Sequence, residues 1–347
     1  MNFSDWTPIS REENAWHYDE HPDYWQWLYF DFIFTNGYTG AAVILPRSVG
    51  SVPGVSLPGL TPEVWLTVLT PEGKRYDAKK AYPLSESQGS RKGLKVKAGK
   101  NLVSCVGDRY QLNLSEGEIG MELELSPLLP PWTPLDEMGF SNPAMFQPFD
   151  PSGSAYFNYI EFVPRGEVKG TLAIAGKKVP VTGLGYHEQG RGNIILGRLF
   201  ERWYWLKFWL DDFTFIMPAG YMPPELFSSK LICALLARGR EKLLNFTDFG
   251  PDLNIIQESD WRTEPNTKSP YPGKMRFEFE QNGITVQGSL KSGPMVEAFL
   301  FSYPRYPTKK QPAYLRFLAE LELNLDINGE KVKKIGSGMQ EIMNSGG

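Results

Sequence analysis

An all-β chain of two tandem antiparallel barrels is predicted by three features: abundant aromatics and turn-formers, strand-period alternation, and an internal duplication. Aromatics are 14% of the 347 residues, alongside 34 glycines and 28 prolines. Aromatic side chains favour strands, and glycine and proline favour the turns between them. Met121-Glu-Leu-Glu-Leu125 and Met275-Arg-Phe-Glu-Phe279 alternate apolar and charged residues, the period of a half-buried strand. Ile174–Val179 and Ile327–Val332 place Ala-Gly and Asn-Gly between strand-like residues and read as tight hairpins. Trp25–Phe34 is aromatic or aliphatic at almost every position, as expected of a strand covered on both faces, one toward a barrel interior and one toward the partner domain. Long antiparallel strands with short hairpins suggest closed or nearly closed barrels.

The duplication rests on three matched pairs in the same order. Trp25-Gln-Trp-Leu-Tyr-Phe30 recurs as Trp203-Tyr-Trp-Leu-Lys-Phe208, an offset of 178. Leu172-x-Ile-x-Gly-x-Lys-Val179, continuing to Gly183-x-Gly185-x-x-Glu188, recurs from Leu325 through Val332 to Gly336-x-Gly338-x-x-Glu341, an ungapped offset of 153. Val64–Tyr76 pairs more weakly with Leu231–Leu243. Each copy thus opens with an aromatic strand and closes with a glycine-punctuated hairpin. The expected domains are 1–192 and 193–347, with Pro46–Pro62 and Leu128–Ser154 as loop expansions in the first copy. Lys230–Lys242 also fits a basic amphipathic helix touching a membrane surface. Its match to Val64–Tyr76 and its Arg-Gly-Arg turn favour a hairpin.

Composition narrows the function. The net charge of −4 and the lack of a basic block argue against a nucleic-acid partner. Cys105 and Cys233 are too few for a disulfide framework or a cysteine-rich metal site. His17 and His21 are spaced as helical ligands, but Pro22 and polar, turn-like surroundings favour a surface or hinge. The first six residues lack a basic, apolar leader, and no run reaches the roughly 18 apolar residues of a membrane span, so a cytoplasmic chain is expected. No Gly-x-Gly-x-x-Gly opens a helix and no Gly-x-Ser-x-Gly elbow occurs, so neither a cofactor nor a metal is expected.

Acid–base groups in an aromatic pocket remain. A carboxyl group in apolar surroundings keeps its proton to higher pH and can protonate an alkene, while ring faces stabilise the resulting cation. Strand alternation puts Trp203, Trp205 and Trp209 on one face with Lys207 and Asp211, making Asp211 a candidate acid beside Trp209. The competing reading makes the aromatics core packing and Asp211-Asp212 a hairpin turn. Gly183, Gly185 and Glu188 have counterparts in the second copy, so their first explanation is structural. Specialisation is expected where the copies differ. Tyr186, His187, Gln189, Arg191 and Asn193 face Met339, Gln340, Ile342, Asn344 and Gly346. In this reading Glu188 or Asp211 donates the proton, His187 relays it, and Arg191 and Gln189 orient the substrate. Tyr186 and Asn193 complete the cluster, and Tyr29 and Asp31 are further candidates in the first copy. His187 and Arg191 read equally as a satisfied buried histidine and a solvated strand-end arginine.

Trp27-Leu-Tyr-Phe-Asp31 with Asn36-Gly37, Gly183-Leu-Gly-Tyr-His-Glu-Gln-Gly-Arg-Gly192 and Gly336-Ser-Gly-Met-Gln-Glu341 resemble, across essentially the whole chain, a two-domain lipocalin-like family. It comprises hydroxyneurosporene synthases (carotenoid 1,2-hydratases), AttH-like proteins, tocopherol cyclases and decalin-forming Diels–Alderases. The resemblance implies two calycin-type barrels, a large apolar pocket, and cofactor-free chemistry on polyene or isoprenoid substrates. Where the hydratases resemble Tyr-His-Asp-His-x-Trp-Gly, this chain has Glu188 for the Asp, Gln189 for the second His and Arg191 for the Trp. Their Tyr-x-Asp pattern falls on Trp209-Leu210-Asp211. The expected function is hydration, isomerisation or cyclisation of a bulky hydrophobic substrate. A pericyclic ring closure with a carbonyl polarised by Arg191 or Gln189, and a non-catalytic carrier, are the alternatives. The oligomeric state is left open.

Overall fold

The strands follow the hydrophobic alternation, and all twenty of the described strands sit in two sheets. The computed structural model describes residue 6 and residues 8–48, 50–56, 61–134, 150–226, 228–303 and 310–345. Two compact units divide the chain, Met1–Ile195 and Leu196–Gly347. The first contains β1 (Trp25–Phe34), β2 (Thr39–Arg47), β3 (Glu63–Leu69), β4 (Arg75–Ala81), β5 (Ser87–Gly89) and β6 (Lys95–Ala98). It continues with β7 (Asn101–Val106), β8 (Arg109–Glu116), β9 (Ile119–Pro127), β10 (Phe157–Ile174) and β11 (Lys177–Gly192). The second contains β12 (Arg202–Leu210), β13 (Phe213–Tyr221), β14 (Lys230–Arg238), β15 (Glu241–Gly250) and β16 (Ile256–Thr263). It ends with β17 (Pro270–Gln281), β18 (Ile284–Leu300), β19 (Ala313–Ile327) and β20 (Glu330–Asn344).

Both sheets are antiparallel and curled, in the orders β4-β3-β2-β1-β11-β10-β9-β8-β7-β6-β5 and β15-β14-β13-β12-β20-β19-β18-β17-β16. In each copy the opening strand pairs with the closing strand. The closing hairpins turn at Ala175-Gly176 and Asn328-Gly329, all four with positive φ, the backbone that matches a two-residue turn to the strand twist. Each unit has its own core. In the first, Leu28, Phe30, Phe32 and Phe34 meet Val64, Leu66 and Val68. In the second, Tyr204, Leu206, Phe208 and Leu210 meet Ile232, Ala234 and Leu236.

The paired glycines of the closing strands are there for space. A Cβ on Gly183 would lie 2.2 Å from the Ile33 carbonyl oxygen, and one on Gly338 would lie 2.2 Å from that of Lys207. The two strong sequence repeats are nevertheless not in the same register. Phe30 faces His187, but Phe208 faces Gly338 rather than Gln340, a difference of one pleat period.

The third repeat also shifts. Val64 faces the core, whereas the core-facing residue in the second copy is Ile232, not Leu231. Matching Val64 to Leu231 would put opposite faces together, because a one-residue slip inverts a strand. Residues 48–62 join β2 to β3, against 222–229 between β13 and β14, so the first copy does carry the longer connection. Residues 135–149 of the other expected expansion, and Gly346, lie outside the described residues. Lys230–Lys242 is the β14–β15 hairpin and not the helix that the membrane reading requires. Among the described residues no helix is long and apolar enough to cross a membrane.

Candidate active site

Alternation along β11 separates the expected cluster into two sets. His187, Gln189 and Arg191 face the same way as Phe30, Leu28 and Gln26 of β1, toward the core. Tyr186 and Glu188 face outward with Asp31 and Tyr29. They do not form one site.

The inward set ties down the N-terminal segment. A 3-10 turn, Arg11–Asn14, lies against the end of the first sheet. The Glu13 carbonyl oxygen accepts Gln189 Nε2 at 2.8 Å, Arg191 Nη1 at 3.0 Å and His17 Nε2 at 3.0 Å. Arg191 also pairs with the Glu13 carboxylate at 2.5 Å. Orienting a substrate is therefore not their role: both side chains are already committed to Glu13. His187 is fully buried and stacks on Phe30, with ring centroids 4.0 Å apart and 4° between planes. Burial pushes its pKa down to about 3, against a smaller opposing effect of the Tyr29 carbonyl, so the ring is neutral at ordinary pH. That carbonyl can only accept, so Nδ1 carries the hydrogen. The bare Nε2 then requires Asn14 to turn its amide NH2 toward it across the 3.1 Å contact and its oxygen toward the Tyr110 hydroxyl. A neutral ring sealed in the core is not a proton relay. Asn193 bonds Tyr156 N and the Ser154 carbonyl, fixing a connection rather than facing a ligand.

Asp211 is also corrected. It sits in the β12–β13 turn with φ 55°, its side chain 80% exposed and paired with Lys334. The alternation that links it to Trp209 stops at Leu210, where the strand ends. Trp203, Trp205, Lys207 and Trp209 share the outer face of β12. There Lys207 and the Tyr314 hydroxyl both bond Glu341, and Arg316 bonds Tyr314 and Glu297. Burial opposes ionised Glu341, but Lys207 and Arg316 outweigh it and hold its pKa below the ordinary value. That face is an ionic lock.

The outward set of the first unit has a different character. Three rows cross β10, β11 and β1: Tyr159–Gly190–Trp27, Glu161–Glu188–Tyr29, and, without a β10 member, Tyr186–Asp31. Glycine at 190 leaves room for the indole to lie across the strand, since a Cβ there would come within 2.4 Å of the Trp27 ring. Trp25 stacks on Trp27 at 4.6 Å and meets Phe157 at 5.6 Å. Within this aromatic surface Glu188 accepts the Tyr186 hydroxyl at 2.5 Å and the Trp27 indole N–H at 3.2 Å. Tyr159 and Tyr186 hydroxyls are 3.2 Å apart, and Tyr29 donates to Asp31 at 2.8 Å. Asp31, Glu161, Tyr186 and Glu188 are all buried. The main chain of Glu161 is clamped by a two-bond bridge to Trp132.

The same face continues onto β3, where Glu63 accepts Ser56 Oγ and Trp65 Nε1, each at 2.8 Å. Burial raises the Glu63 pKa against the smaller effect of these donors. On β14 the outward residues are Leu231, Cys233, Leu235 and Ala237, all buried and apolar. Glu63 and Trp65 therefore have no polar counterpart on β14; the outward polar groups of the second copy are instead those of β12, β18, β19 and β20. A surface groove of about 820 Å³ near Thr35, Gln111, Glu122 and Lys169 lies elsewhere and contains none of these groups.

Trp25, Trp27, Phe157, Tyr159, Glu161 and Glu63 were not among the expected site residues. Alternation was the available signal, because Trp25, Trp27, Tyr29 and Asp31 fall on one face of β1. Among the described residues no group of three or more His, Cys, Asp or Glu is placed to hold a metal ion.

No family model matches the chain, and no curated protein matches its sequence. Solved structures do match. An AttH-like protein of Nitrosomonas europaea is similar over 99% of this chain and 98% of its own, with a TM-score of 0.62 and 13% identity. CghA, crystallised with Sch210972, is similar over 93% of this chain and 89% of its own, with a TM-score of 0.66 and 13% identity. Kievitone hydratase of Nectria haematococca is similar over 92% and 89%, with a TM-score of 0.54 and 10% identity. The shared property is the fold, two tandem lipocalin-like barrels, the architecture of the group that the sequence motifs resemble.

Proposed function

We propose that the chain is an enzyme that adds water to, isomerises or cyclises across a C=C bond of a bulky hydrophobic substrate without a cofactor. The observation that carries this reading is Glu188, a buried carboxyl group bonded to Tyr186 and Trp27 beside stacked Trp25 and Trp27. A proton held there can pass to an alkene, and the ring faces stabilise the cation by roughly 0.5–2 kcal/mol for each well-placed ring. Water, a neighbouring double bond or loss of an adjacent proton then completes hydration, cyclisation or isomerisation. The likeness to kievitone hydratase favours hydration. The likeness to CghA, solved with a bound small molecule, supports the same fold holding a bulky ligand. A pericyclic ring closure remains the second reading, but with Tyr186 or Tyr159 as the polarising donor, since Arg191 and Gln189 are held by Glu13.

The test is incubation of the purified chain with isoprenoid polyenes and polyketide-derived polyenes in deuterated, ¹⁸O-labelled water, read by mass spectrometry. Label in the product is expected, and Glu188→Gln should slow its formation about a hundredfold or more. Lipophilic material recovered bound but chemically unchanged, with Glu188→Gln equal to wild type, would identify a carrier instead.

A further inference from the structure

The first unit holds residues 9–17 much as a sheet holds a strand. On one side Trp16 N donates to the Ser90 carbonyl at 3.0 Å. On the other, Gln26 Nε2 donates to the Ala15 carbonyl at 2.8 Å, and Gln26 Oε1 accepts the His17 N–H at 3.0 Å. Successive residues thus bond to opposite sides, the alternation of an extended chain between two neighbours. The side chains of the strap also meet matching groups. Arg191 takes the Glu13 carboxylate, and the Asn14 amide spans His187 Nε2 and the Tyr110 hydroxyl, 3.1 Å from each. Ala15 is fully buried, so only a small residue fits there. Trp16 lies over Gly89, where a Cβ would come within 2.1 Å of the indole. One wall group is unmet. Gln189 is buried and gives Nε2 to the Glu13 carbonyl, but its Oε1 has no hydrogen-bond partner among the described residues. That oxygen is matched by an N–H donor, which the strap does not supply.

We propose that this end of the first unit is a peptide-binding site, filled in the resting chain by residues 9–17. The ligand that displaces them is an extended peptide carrying a carboxylate, a carboxamide, a small residue and an indole in that order, as Glu13-Asn14-Ala15-Trp16 does. The strap is a releasable occupant. Among the described residues, Trp16 N makes its one bond from main chain to main chain with another segment. Its other ties are side-chain hydrogen bonds and an ion pair, which water replaces on release at small net cost. Arg11, Glu12 and Tyr18 are exposed. Beyond Tyr18, Arg47 holds the Asp19 and Pro22 carbonyls at 3.0 Å each, so release stops there and leaves β1 in place. A peptide that also donates to Gln189 Oε1 gains a bond that the strap lacks. The site lies on the inward face, opposite Glu188, and its test needs no turnover.

The probe is the fluorescently labelled peptide Pro8–His17, titrated into the full chain and read by anisotropy. In the wild type the tether gives the resident strap an effective concentration on the order of millimolar, so the peptide should bind weakly. In the full chain carrying Asn14→Ala and Trp16→Ala the resident is weakened and the wall is intact. The peptide should bind that chain at least about tenfold more tightly. The same two substitutions placed in the peptide, or Arg191→Ala added to the weakened chain, should each undo the gain. Equal binding to both chains, no binding to the weakened chain, or indifference to either control overturns the proposal. Hydrogen exchange in the wild type needs no variant. There the amides of residues 15–17 should exchange at least about tenfold faster than those of β1 and β11, yet slower than in the free peptide. Rates equal to those of β1 and β11 mean that the strap opens only when the unit unfolds, and rates equal to the free peptide mean that it is not held; either overturns the proposal.

Discussion

Lowering the pH from 7 to 4.5 leaves His187 neutral in the folded chain, because burial holds its pKa down to about 3. The unfolded chain takes up that proton near the ordinary value of 6.5. Stability from the neutral ring is therefore complete above 6.5 and declines as the pH falls toward 3, by about 2–3 kcal/mol at pH 4.5. Urea titrations at pH 7.5 and 4.5 should show a smaller acid loss in His187→Leu than in wild type. Glu63 works the other way. Its raised pKa makes its contribution complete below the ordinary carboxyl range and lost as the pH rises through the folded value. Glu63→Gln should therefore compare better with wild type at pH 8 than at pH 4 in the same assay. Neither environment was legible from composition, because desolvation depends on what the rest of the fold stacks against a side chain. The facing of His187 against Glu188 was legible, since adjacent strand residues point to opposite sides.

Among the elements, the closing strands and the N-terminal turn make the clearest demands. Gly183→Ala and Gly338→Ala each force a Cβ against a backbone carbonyl and should destabilise the chain by about 2–3 kcal/mol, measured by thermal or urea unfolding. Arg191→Ala should cost about 2 kcal/mol and speed hydrogen exchange over residues 8–17, with little change in turnover. A turnover loss without that exchange change would restore Arg191 to substrate binding. Sequence alone located the paired glycines and the hairpins, because steric requirements recur identically in both copies. It misplaced Asp211, because a strand's period was carried past Leu210 into a turn, and it missed Tyr159 because the repeat motif touches that strand only at its other end, Leu172–Ile174. The slip of the third repeat has a similar cause: short apolar runs align almost equally well one residue apart.

At the scale of the molecule, each unit closes around its own core, and each core should fail separately. Leu125→Ala and Leu321→Ala delete large buried side chains and should each cost about 2–5 kcal/mol. Hydrogen exchange should then accelerate within residues 1–195 for the first and 196–347 for the second. Acceleration throughout the chain in either variant would instead mean one cooperative unit. The tandem architecture was readable because duplication preserves motif order. The slip of one pleat between the copies was not, since register is decided by how opening and closing strands meet. That meeting also dictates the order of events at the ribosome. β1 can pair with β2 as soon as both are made, but its other edge is covered only after β11 has been synthesised, and β12, beside β13, waits likewise for β20 on its second edge. One edge of the largely apolar Trp25–Phe34 thus stays unpaired for the whole time its unit is being made. Translation pauses near residue 192, or a chaperone that shields nascent strands, should govern how much of the chain reaches its native state.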